Sequence, residues 1–395
     1  MLEATLRNTV NGVLLPSGRS EVPPFMVMDV MAAAERIEAA GGHVIHMEVG
    51  QPAAPAPRTA IVAAERALRD GRIDYTSALG ILSLRQRIAR HYRDVHGCDV
   101  DAGRIVVTTG SSGAFILAFL AMFEPGDRVA VTVPGYPPYR HILTALGCEP
   151  VLIETTSETR HALTGEALLA AHRRSPLKGV LVGSPANPTG TMMSQDALKG
   201  LIAAAEEAGI RFISDEIYHG LDYAFPAATA AALSSRALVI NSFSKYFCMT
   251  GWRVGWMVVP EQLVRPIERL QQNLAISVPT LSQIAAEAAF EGREEMEAIK
   301  RGYLENRRIL IDGLPQAGLK TFLPADGAFY LYADVSAFTS DSFEFAKTML
   351  EQAHVAATPG VDFDPFHGRN FIRFSYARSA EDMRVAVERI AKWLR

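Results

Sequence analysis

The sequence predicts an α/β fold, in which a mostly parallel sheet is covered by helices on both faces and a smaller α+β domain lies beside it. Three observations support this prediction. Short apolar runs recur from about residue 104 and are separated by helix-like segments. A motif rich in glycine, serine, asparagine or aspartate follows several of these runs. After about residue 278 the alternation ends, and a long helical stretch precedes short strand-like runs and a C-terminal helix.

The predicted elements follow in order along the chain. A loose, proline-containing segment comes first, and a helix-like stretch over 28–40 ends at Gly41-Gly42. The strand-like runs of the sheet cover 104–109, 128–133, 178–183, 210–214 and 237–241, and helix-like runs cover 114–123 and 195–208. The later region is helical over 278–314 and strand-like over 328–332 and 371–375. We predict a large domain over 46–290 and a small domain that combines residues 1–45 with residues 291–395.

Composition and charge argue against several classes of protein. The chain has 395 residues, of which 49% are hydrophobic and 21% are charged, as is ordinary for a globular protein with a large core. A net charge of −4 without a long basic tract gives no reason to expect nucleic acid or an anionic membrane as a partner. Cys98, Cys148 and Cys248 are far apart and form no Cys-x-x-Cys pair, so we expect no metal site and a reducing compartment. Because no apolar run reaches the length of a membrane span, we expect a soluble cytoplasmic protein.

Lys245 is the most informative residue of the chain. It ends the segment Asn241-Ser242-Phe243-Ser244-Lys245 directly after the apolar run 237–240, and Arg253 follows eight residues later. A lysine at the end of a buried strand, beside hydroxyl groups and an arginine, can form a Schiff base next to a phosphate anchor, which is what a pyridoxal-phosphate enzyme requires. Two other interpretations are a solvated lysine at a strand end and the Ser-x-x-Lys pattern of serine acylases. The acylase pattern also needs Ser-Asp-Asn and Lys-Thr-Gly motifs, which the sequence lacks.

Two further motifs that follow strands are ambiguous when each is taken alone. Gly110-Ser111-Ser112-Gly113 opens a helix and suits a phosphate, although serine and glycine are also routine helix caps. Asp215 either pairs with the protonated ring nitrogen of pyridoxal phosphate or caps a turn. Tyr218, three residues later, either faces the same pocket or packs in the core.

Three other side chains also have two interpretations each. Asn187, between Pro185 and Pro188, is either an inward-facing amide donor or a turn residue that bonds its own backbone. Tyr136 either stacks on a heteroaromatic ring or packs in the core. Arg373 alternates with apolar neighbours, so it is either a buried carboxylate clamp or a surface charge on an edge strand, and periodicity alone favours the surface.

The whole set is specific where its single members are not. In chain order it comprises Asn187, Asp215, Tyr218, Lys245, Arg253 and Arg373. This set resembles the class I/II aminotransferases, fold-type-I pyridoxal-phosphate enzymes close to the bacterial aspartate and aromatic aminotransferases. Matching motifs begin at 48–52, so the resemblance covers nearly the whole chain. It implies a large domain built on a mostly parallel seven-stranded sheet, and a homodimer with shared active sites.

The resemblance also implies a role for each residue. Lys245 would form the Schiff base and shuttle protons, while Asp215 would pair with the pyridine nitrogen. Tyr136 would stack on the ring, and Asn187 and Tyr218 would bond its phenolic oxygen. The residues implied at the phosphate are Gly110, Ser111, Ser112, Ser242, Ser244 and Arg253, with Tyr75 reaching in from the neighbouring subunit. The residues implied at the substrate α-carboxylate are Arg373, Gly50 and Asn187.

These roles predict an aminotransferase that moves the α-amino group of an amino acid to a 2-oxo acid by a ping-pong mechanism. The shared motifs serve the cofactor rather than the reaction, so other enzymes of the same fold remain alternatives: a C–S β-lyase, a decarboxylase, an acyl-CoA condensing enzyme or aspartate aminotransferase proper. A non-enzymatic regulator that binds pyridoxal phosphate is an alternative of a different class, although no DNA-binding segment is visible.

We expect the amino donor to have a neutral, apolar or aromatic side chain, because a buried acidic side chain needs its own cation. The related bacterial aspartate enzymes often carry a lysine where this chain has Ser112. The segment 273–279, expected to border the partner subunit's pocket, contains no cation. Phe25 would add an apolar wall if the N-terminal segment folds over the site. The alternative is that Arg19 or Arg378 enters the pocket and restores binding of an acidic side chain.

Overall fold

The computed structural model describes residues 9–10, 13–71, 73–323 and 325–395. The beginning of the predicted N-terminal segment 1–45 therefore lies outside the described residues. The strands in chain order are β1 (Thr9–Val10), β2 (Val13–Leu14), β3 (Ile45–His46), β4 (Ile105–Thr108), β5 (Arg128–Val133), β6 (Glu149–Glu154), β7 (Gly179–Gly183), β8 (Arg211–Asp215), β9 (Leu238–Ser242), β10 (Gly255–Val258), β11 (Tyr330–Asp334), β12 (Val355–Ala356), β13 (Thr358–Pro359) and β14 (Phe371–Ser375).

Helices connect most of these strands. In chain order they are α1 (Met26–Ala39), α2 (Arg58–Arg69), α3 (Leu82–His96), α4 (Gly110–Met122), α5 (Pro137–Ala145), α6 (Gly165–Arg174), α7 (Gln195–Glu207), α8 (Glu261–Leu274), α9 (Thr280–Ala289), α10 (Arg293–Gly313), α11 (Ser342–Ala353) and α12 (Ala380–Trp393). No helix of the described ranges is long and apolar enough to cross a membrane.

Seven strands form the central sheet, in the order β4-β10-β9-β8-β7-β5-β6. Strand β10 pairs antiparallel with β4 and β9, and the other pairings in this sheet are parallel. Because β10 reverses direction between β4 and β9, those two strands point the same way. The predicted mostly parallel sheet is confirmed. Strand β10, which the sequence analysis did not predict, is its antiparallel member.

Apolar side chains of the central sheet alternate between its two faces, because successive residues of a strand point in opposite directions. In β4, Ile105 and Val107 join the core on one face, which includes Ile88 of α3. Val106 joins the core on the other face, which includes Phe119 of α4. Since helices cover both faces, the strands are apolar at consecutive positions, and this is why they could be found as continuous runs.

A second core lies around β11, β13 and β14, which form an antiparallel sheet with β14 in the centre. Helices α10, α11 and α12 contribute Leu310, Met349 and Ile390 to this core. Strand β3 pairs in parallel with β12, so a segment from before the large sheet joins the C-terminal part of the chain. The smaller α+β unit is thus built from both sides of the sequence, as predicted. The domain limits at 45/46 and 290/291 stay a prediction.

Some predicted elements have different limits in the structure. The predicted helix over 278–314 is two helices, α9 and α10, separated by a turn at Phe290–Gly292. Strand β6 was not predicted, because it lies at the edge of the sheet and both of its terminal residues are exposed glutamates, which interrupt the apolar pattern. The ends of β4, β7, β8 and β9 lie at one edge of the sheet, and each is followed by a motif that the sequence analysis singled out.

Candidate active site

A cavity of about 240 Å³ lies at this edge of the central sheet. Its walls come from the loops after the strands, from Tyr330 and Arg373 of the smaller sheet, and from Phe25, Val27 and Met28 at the start of α1. The predicted site residues that line it are Gly50, Ser111, Ser112, Tyr136, Asn187, Asp215, Tyr218, Ser244, Lys245, Arg253 and Arg373. The fold therefore brings together residues that are up to 323 positions apart, from Gly50 to Arg373.

Lys245 lies in the middle of the cavity, three residues after the end of β9. Its Nζ donates a hydrogen bond to the carbonyl of Gly50 at 2.6 Å. Burial, which is the largest cause, and the charges of Arg373 and Arg253 together lower the pKa of Lys245 to about 8, whereas Asp215 opposes them. The amine is therefore neutral in a substantial fraction of molecules near pH 8, as a nucleophile or general base requires.

Asp215 ends β8 and is 3% exposed. Its Oδ1 accepts from the Ile217 N–H at 3.1 Å, and its Oδ2 accepts a very short hydrogen bond from the Tyr139 hydroxyl. Burial is the main reason why the pKa of Asp215 is raised to about 6, and the bonds from Tyr139 and Ile217 oppose this rise. No lysine or arginine of the described residues forms an ion pair with this carboxylate. A buried acid of this kind is suited to a ligand that brings its own positive charge.

Tyr139 is a site residue that the sequence analysis missed. It lies in the first turn of α5, three residues after Tyr136, and the two rings meet edge to face with centroids 5.2 Å apart. The sequence contains a pattern that points to Tyr139. Pro137 and Pro138 favour a helix start after Tyr136, and residues three apart share a helix face, so Tyr139 lies on the same face as Tyr136. Tyr139 holds Asp215, while Tyr136 lines the cavity itself.

One end of the cavity is rich in hydrogen-bond donors. Ser111 and Ser112 lie in the first turn of α4, opposite Ser244 and Arg253. Gly110 has φ +67°, and a Cβ there would lie 2.6 Å from Nη2 of Arg253, so only glycine lets the guanidinium approach the start of the helix. A helix N-terminus, hydroxyl groups and a guanidinium together suit a dianionic phosphate.

Besides Gly110, which faces Arg253 without lining the cavity, two predicted phosphate-binding residues, Ser242 and Tyr75, do not line it. The Ser242 hydroxyl lies 2.8 Å from Oγ of Ser244 and 3.2 Å from the Val254 carbonyl, so it supports Ser244 from behind the wall. Tyr75 is 80% exposed and lies on a different surface of the same chain, beside the exposed Ile73.

Arg373 lies at the opposite end of the cavity and is 1% exposed. Its Nη1 donates to Oδ1 of Asn187 at 2.9 Å, and its Nη2 donates to the Glu48 carbonyl and, at 3.1 Å, to Oγ1 of Thr358. The guanidinium lies over the ring of Tyr330, 4.4 Å from its centroid. The interpretation of Arg373 as a surface charge on an edge strand is wrong, because β14 is the central strand of its sheet.

Tyr330 is the second site residue that the sequence analysis missed, although it lies in the predicted strand 328–332. Its hydroxyl is 2.7 Å from that of Tyr218, so it links the two sheets across the cavity. A Cβ on Gly50 would lie 1.7 Å from the Tyr330 hydroxyl oxygen. Glycine at position 50 is therefore a steric requirement of this contact.

A family model for aminotransferase class I and II matches residues 42–390. The chain belongs to this family. The valine–pyruvate aminotransferase of Mycobacterium tuberculosis is 47% identical over 380 residues, which is 95% of this chain and 97% of that protein. Since the chain belongs to this family, it transfers an amino group to an oxo acid and depends on pyridoxal phosphate. The serine-acylase interpretation of Ser242 and Lys245 is wrong.

Solved structures agree with this assignment. A crystal structure of an aminotransferase from Mycobacterium tuberculosis matches the present chain with a TM-score of 0.94 and 46% identity. The match covers 97% of the present chain and 99% of the chain in that crystal structure. The aspartate aminotransferase of Thermus thermophilus, solved with maleate, matches with a TM-score of 0.90 and 31% identity, covering 96% and 100%.

The cavity of this aminotransferase also fits pyridoxal phosphate by its chemistry. The cofactor has a dianionic phosphate at one end and a protonated ring nitrogen at the other. The donor-rich end around Gly110 suits the phosphate, and the buried carboxylate of Asp215 suits the ring nitrogen. Within the described part of the chain, no cluster of three histidine, cysteine, aspartate or glutamate side chains has the geometry of a metal site.

Proposed function

We propose that this aminotransferase uses an amino acid with a neutral, apolar side chain as its amino donor, and that aspartate is a poor donor. The observation that carries the proposal is the charge of the cavity wall. Among the described residues, the lysines and arginines that line the cavity are Lys245, Arg253 and Arg373. Their proposed partners are the cofactor aldehyde, the cofactor phosphate and the substrate α-carboxylate, so none of them is left for an acidic side chain. An acidic side chain would have to be buried without a cation of its own.

The walls beyond Arg373 support the same proposal. Phe25, Val27 and Met28 form an apolar surface at the start of α1, and the Phe25 ring meets Tyr136 edge to face at 5.9 Å. Arg19 and Arg378, which the sequence analysis considered as a source of positive charge, are exposed and do not line the cavity. The similarity to a valine–pyruvate aminotransferase points the same way.

We assign the cofactor-binding roles as follows. Ser111, Ser112, Ser244 and Arg253 hold the phosphate, and Gly110 lets the guanidinium approach. Asp215, held by Tyr139, keeps the ring nitrogen protonated. Tyr136 stacks on the ring, and Asn187 and Tyr218 bond its phenolic oxygen. When bound, pyridoxal phosphate supplies an aldehyde that takes up the amino group and a ring that withdraws electrons from Cα.

The substrate roles follow from the geometry of the opposite end. Arg373 binds the α-carboxylate through the two-pronged donor set that guanidinium offers, and Asn187 and the Glu48 carbonyl orient it. Neutral Lys245 accepts the Cα proton at Nζ and moves it. Its lowered pKa of about 8 makes the neutral amine available without strongly alkaline conditions.

A donor series tests the proposed specificity. We expect kcat/KM for valine, leucine and alanine, with pyruvate or 2-oxoglutarate as acceptor, to exceed that for aspartate by at least about tenfold, which is about 1.4 kcal/mol. Aspartate leading the series by the same factor would show that the pocket holds a cation for an acidic side chain. Release of ammonia and pyruvate without an acceptor would instead indicate elimination.

We also propose that the enzyme is a homodimer in which Tyr75 reaches the phosphate of the partner subunit. Tyr75 is 80% exposed, and Ile73, Leu274 and Ile276 expose 52–59% of their surfaces, as an interface would explain.

The three cysteines form no disulfide, which fits a reducing compartment, and we place the enzyme in the cytoplasm.

Mixing two defective variants tests the shared site. Tyr75→Phe weakens cofactor binding and Lys245→Ala abolishes turnover, but their mixed dimer has one site with both defects and one site with neither. We expect activity to reappear on mixing and subunit exchange. A fully active monomer in sedimentation would contradict the proposal.

A further inference from the structure

Three hydrogen-bonded side chains, those of Glu38, His46 and Glu48, lie in a row behind the Arg373 end of the cavity. The Nδ1 of His46 is 2.8 Å from Oε1 of Glu48, and its Nε2 is 3.1 Å from Oε1 of Glu38. The Glu48 side chain has no exposed surface, His46 is 13% exposed and Glu38 is 42% exposed. This row of side chains therefore runs from the protein interior to the surface of α1.

The geometry favours a protonated histidine. A neutral imidazole carries one N–H, so it can donate to only one of two flanking carboxylates, whereas imidazolium donates to both. Glu48 needs this cation, because an unpaired buried carboxylate is costly and its Oε2 has no hydrogen-bond partner among the described residues. The hydrogen bond with Glu48 is the main influence that raises the pKa of His46, against the effect of burial, and Glu38 raises it further.

The segment that carries His46 and Glu48 also contacts two of the three lysine and arginine side chains that line the cavity. The Glu48 carbonyl accepts from Arg373 and, at 2.9 Å, from Oγ1 of Thr358. Two residues later the Gly50 carbonyl accepts from Lys245 at 2.6 Å. Met47, which lies between His46 and Glu48, is fixed by backbone bonds to Ala356 and Ser375. A small displacement of Glu48 therefore moves an acceptor of the guanidinium.

Helix α1 connects the same row of three side chains to the substrate side of the cavity. Glu38 lies in the last turn of α1, and Val27 and Met28 in its first turn line the cavity. The bond from His46 to Glu38 therefore joins the last turn of α1, at the opposite end of the helix from this wall, to the segment that orients Arg373.

We propose that His46 is a positioning residue for the substrate carboxylate site, because through Glu48 it holds the acceptor that orients Arg373. This inference rests on the proposed role of Arg373. Because every α-amino acid has the same carboxylate, the effect of His46 is the same for donors with different side chains.

The sign of the pH dependence follows from the raised pKa of His46. The contribution of His46 to donor binding is fully present below the ordinary histidine pKa near 6.5. It is lost as the pH rises through the higher pKa that His46 has in the folded protein. The charged groups that face it are Glu38 from α1 and Glu48 from its own segment. On the neighbouring α12, Arg389 donates to the carbonyls of His43 and His354, which precede β3 and β12. Alkaline pH should therefore weaken donor binding.

Steady-state kinetics of the holoenzyme with valine and alanine test this inference. We expect His46→Gln to raise KM for both donors by the same factor, about fivefold, with kcat within about twofold, as for loss of a charge-assisted hydrogen bond. The matched control is His367→Gln, which removes an exposed histidine that bonds Glu154 at 2.9 Å and should leave both constants unchanged. An unchanged KM in His46→Gln, or a change that differs between the two donors, would overturn the inference.

A second variant keeps the test valid if His46→Gln does not fold. Glu38→Gln alters only the exposed partner, and it should move the alkaline rise in KM to lower pH, because Glu38 raises the pKa of His46. An identical KM–pH profile in Glu38→Gln and wild type would contradict the inference. Arg373→Lys separates the two proposals: if it leaves KM for the donors unchanged, the proposed role of Arg373 fails, whereas a raised KM there with none in His46→Gln removes only the role of His46.

Discussion

The two ends of the active-site cavity are built in different ways. At the cofactor end, Ser111, Asp215 and Lys245 each lie at or just after the end of a strand of one sheet. At the carboxylate end, Arg373 comes from the smaller sheet, Asn187 from a loop of the large sheet and Glu48 from the segment after β3. The first end depends on a local pattern of strand and motif, and the second depends on how two sheets pack together.

The electrostatics of the two ends differ in the same way. Burial is the main cause that lowers the pKa of Lys245 to about 8 and raises the pKa of Asp215 to about 6, so the pKa of each group lies close to neutral pH. Arg373 instead donates hydrogen bonds to Asn187, Thr358 and the Glu48 carbonyl. The difference indicates that the cofactor end is suited to proton transfer, whereas the other end is suited to holding a fixed charge.

Replacing the base should give the largest effect at either end. We expect Lys245→Ala to lower kcat by about 10⁴-fold or more, since it removes the group that moves the Cα proton. The matched control is Lys199→Ala, at an exposed position of α7, which should be fully active. Borohydride reduction and peptide mapping should find the pyridoxyl group on Lys245 in the wild type. A pyridoxyl adduct on another lysine would refute the assignment.

A conservative change at the other end should cost less but should affect every donor. We expect Arg373→Lys to lower kcat/KM about a hundredfold, or about 2.7 kcal/mol, because an ammonium cannot reproduce the planar fork of donors. Arg369→Lys, on the exposed turn before β14, is the control. A loss confined to donors with one type of side chain would show that Arg373 binds the side chain rather than the α-carboxylate.

Tyr139 allows the cofactor end to be weakened without removing its charge. Tyr139→Phe deletes the hydrogen bond that lowers the pKa of Asp215, so that pKa should rise above about 6 and the acidic limb of the activity profile should move to higher pH. We expect affinity for pyridoxal phosphate to fall about tenfold, as for loss of a hydrogen bond to a charged group. Tyr223→Phe, which loses a bond to the Ala328 carbonyl elsewhere, should change neither property.

The smallest expected effect couples the two ends. In the apoenzyme, the rate at which Lys245 combines with pyridoxal phosphate should rise with pH around a midpoint of about 8. Because the charge of Arg373 lowers the pKa of Lys245, Arg373→Gln should move this midpoint to higher pH. Stopped-flow absorbance across a pH series measures it. A midpoint that stays in place or falls would show that the two ends are electrostatically independent.

Much of the fold could be predicted because strands covered on both faces are continuous apolar runs. Strand β5 and strand β14 have the predicted limits, whereas the edge strand β6 was missed since its exposed glutamates break the pattern. Tyr139 and Tyr330 were missed for a different reason. An aromatic residue in an apolar context has the same local pattern whether it packs in a core or turns its hydroxyl toward a site.

The sequence by itself determined the cofactor end of this aminotransferase. Parallel strands bring their carboxyl ends to one edge, so the order of strand and motif along the chain was enough to place Lys245, Asp215 and Ser111 together. Only the tertiary structure decided the other end. Alternation with apolar neighbours favoured an exposed Arg373, but β14 is a central strand, and the Glu48 carbonyl, Asn187 and Thr358 satisfy the buried guanidinium. Burial of a charge depends on partners from distant segments, and no local pattern contains them.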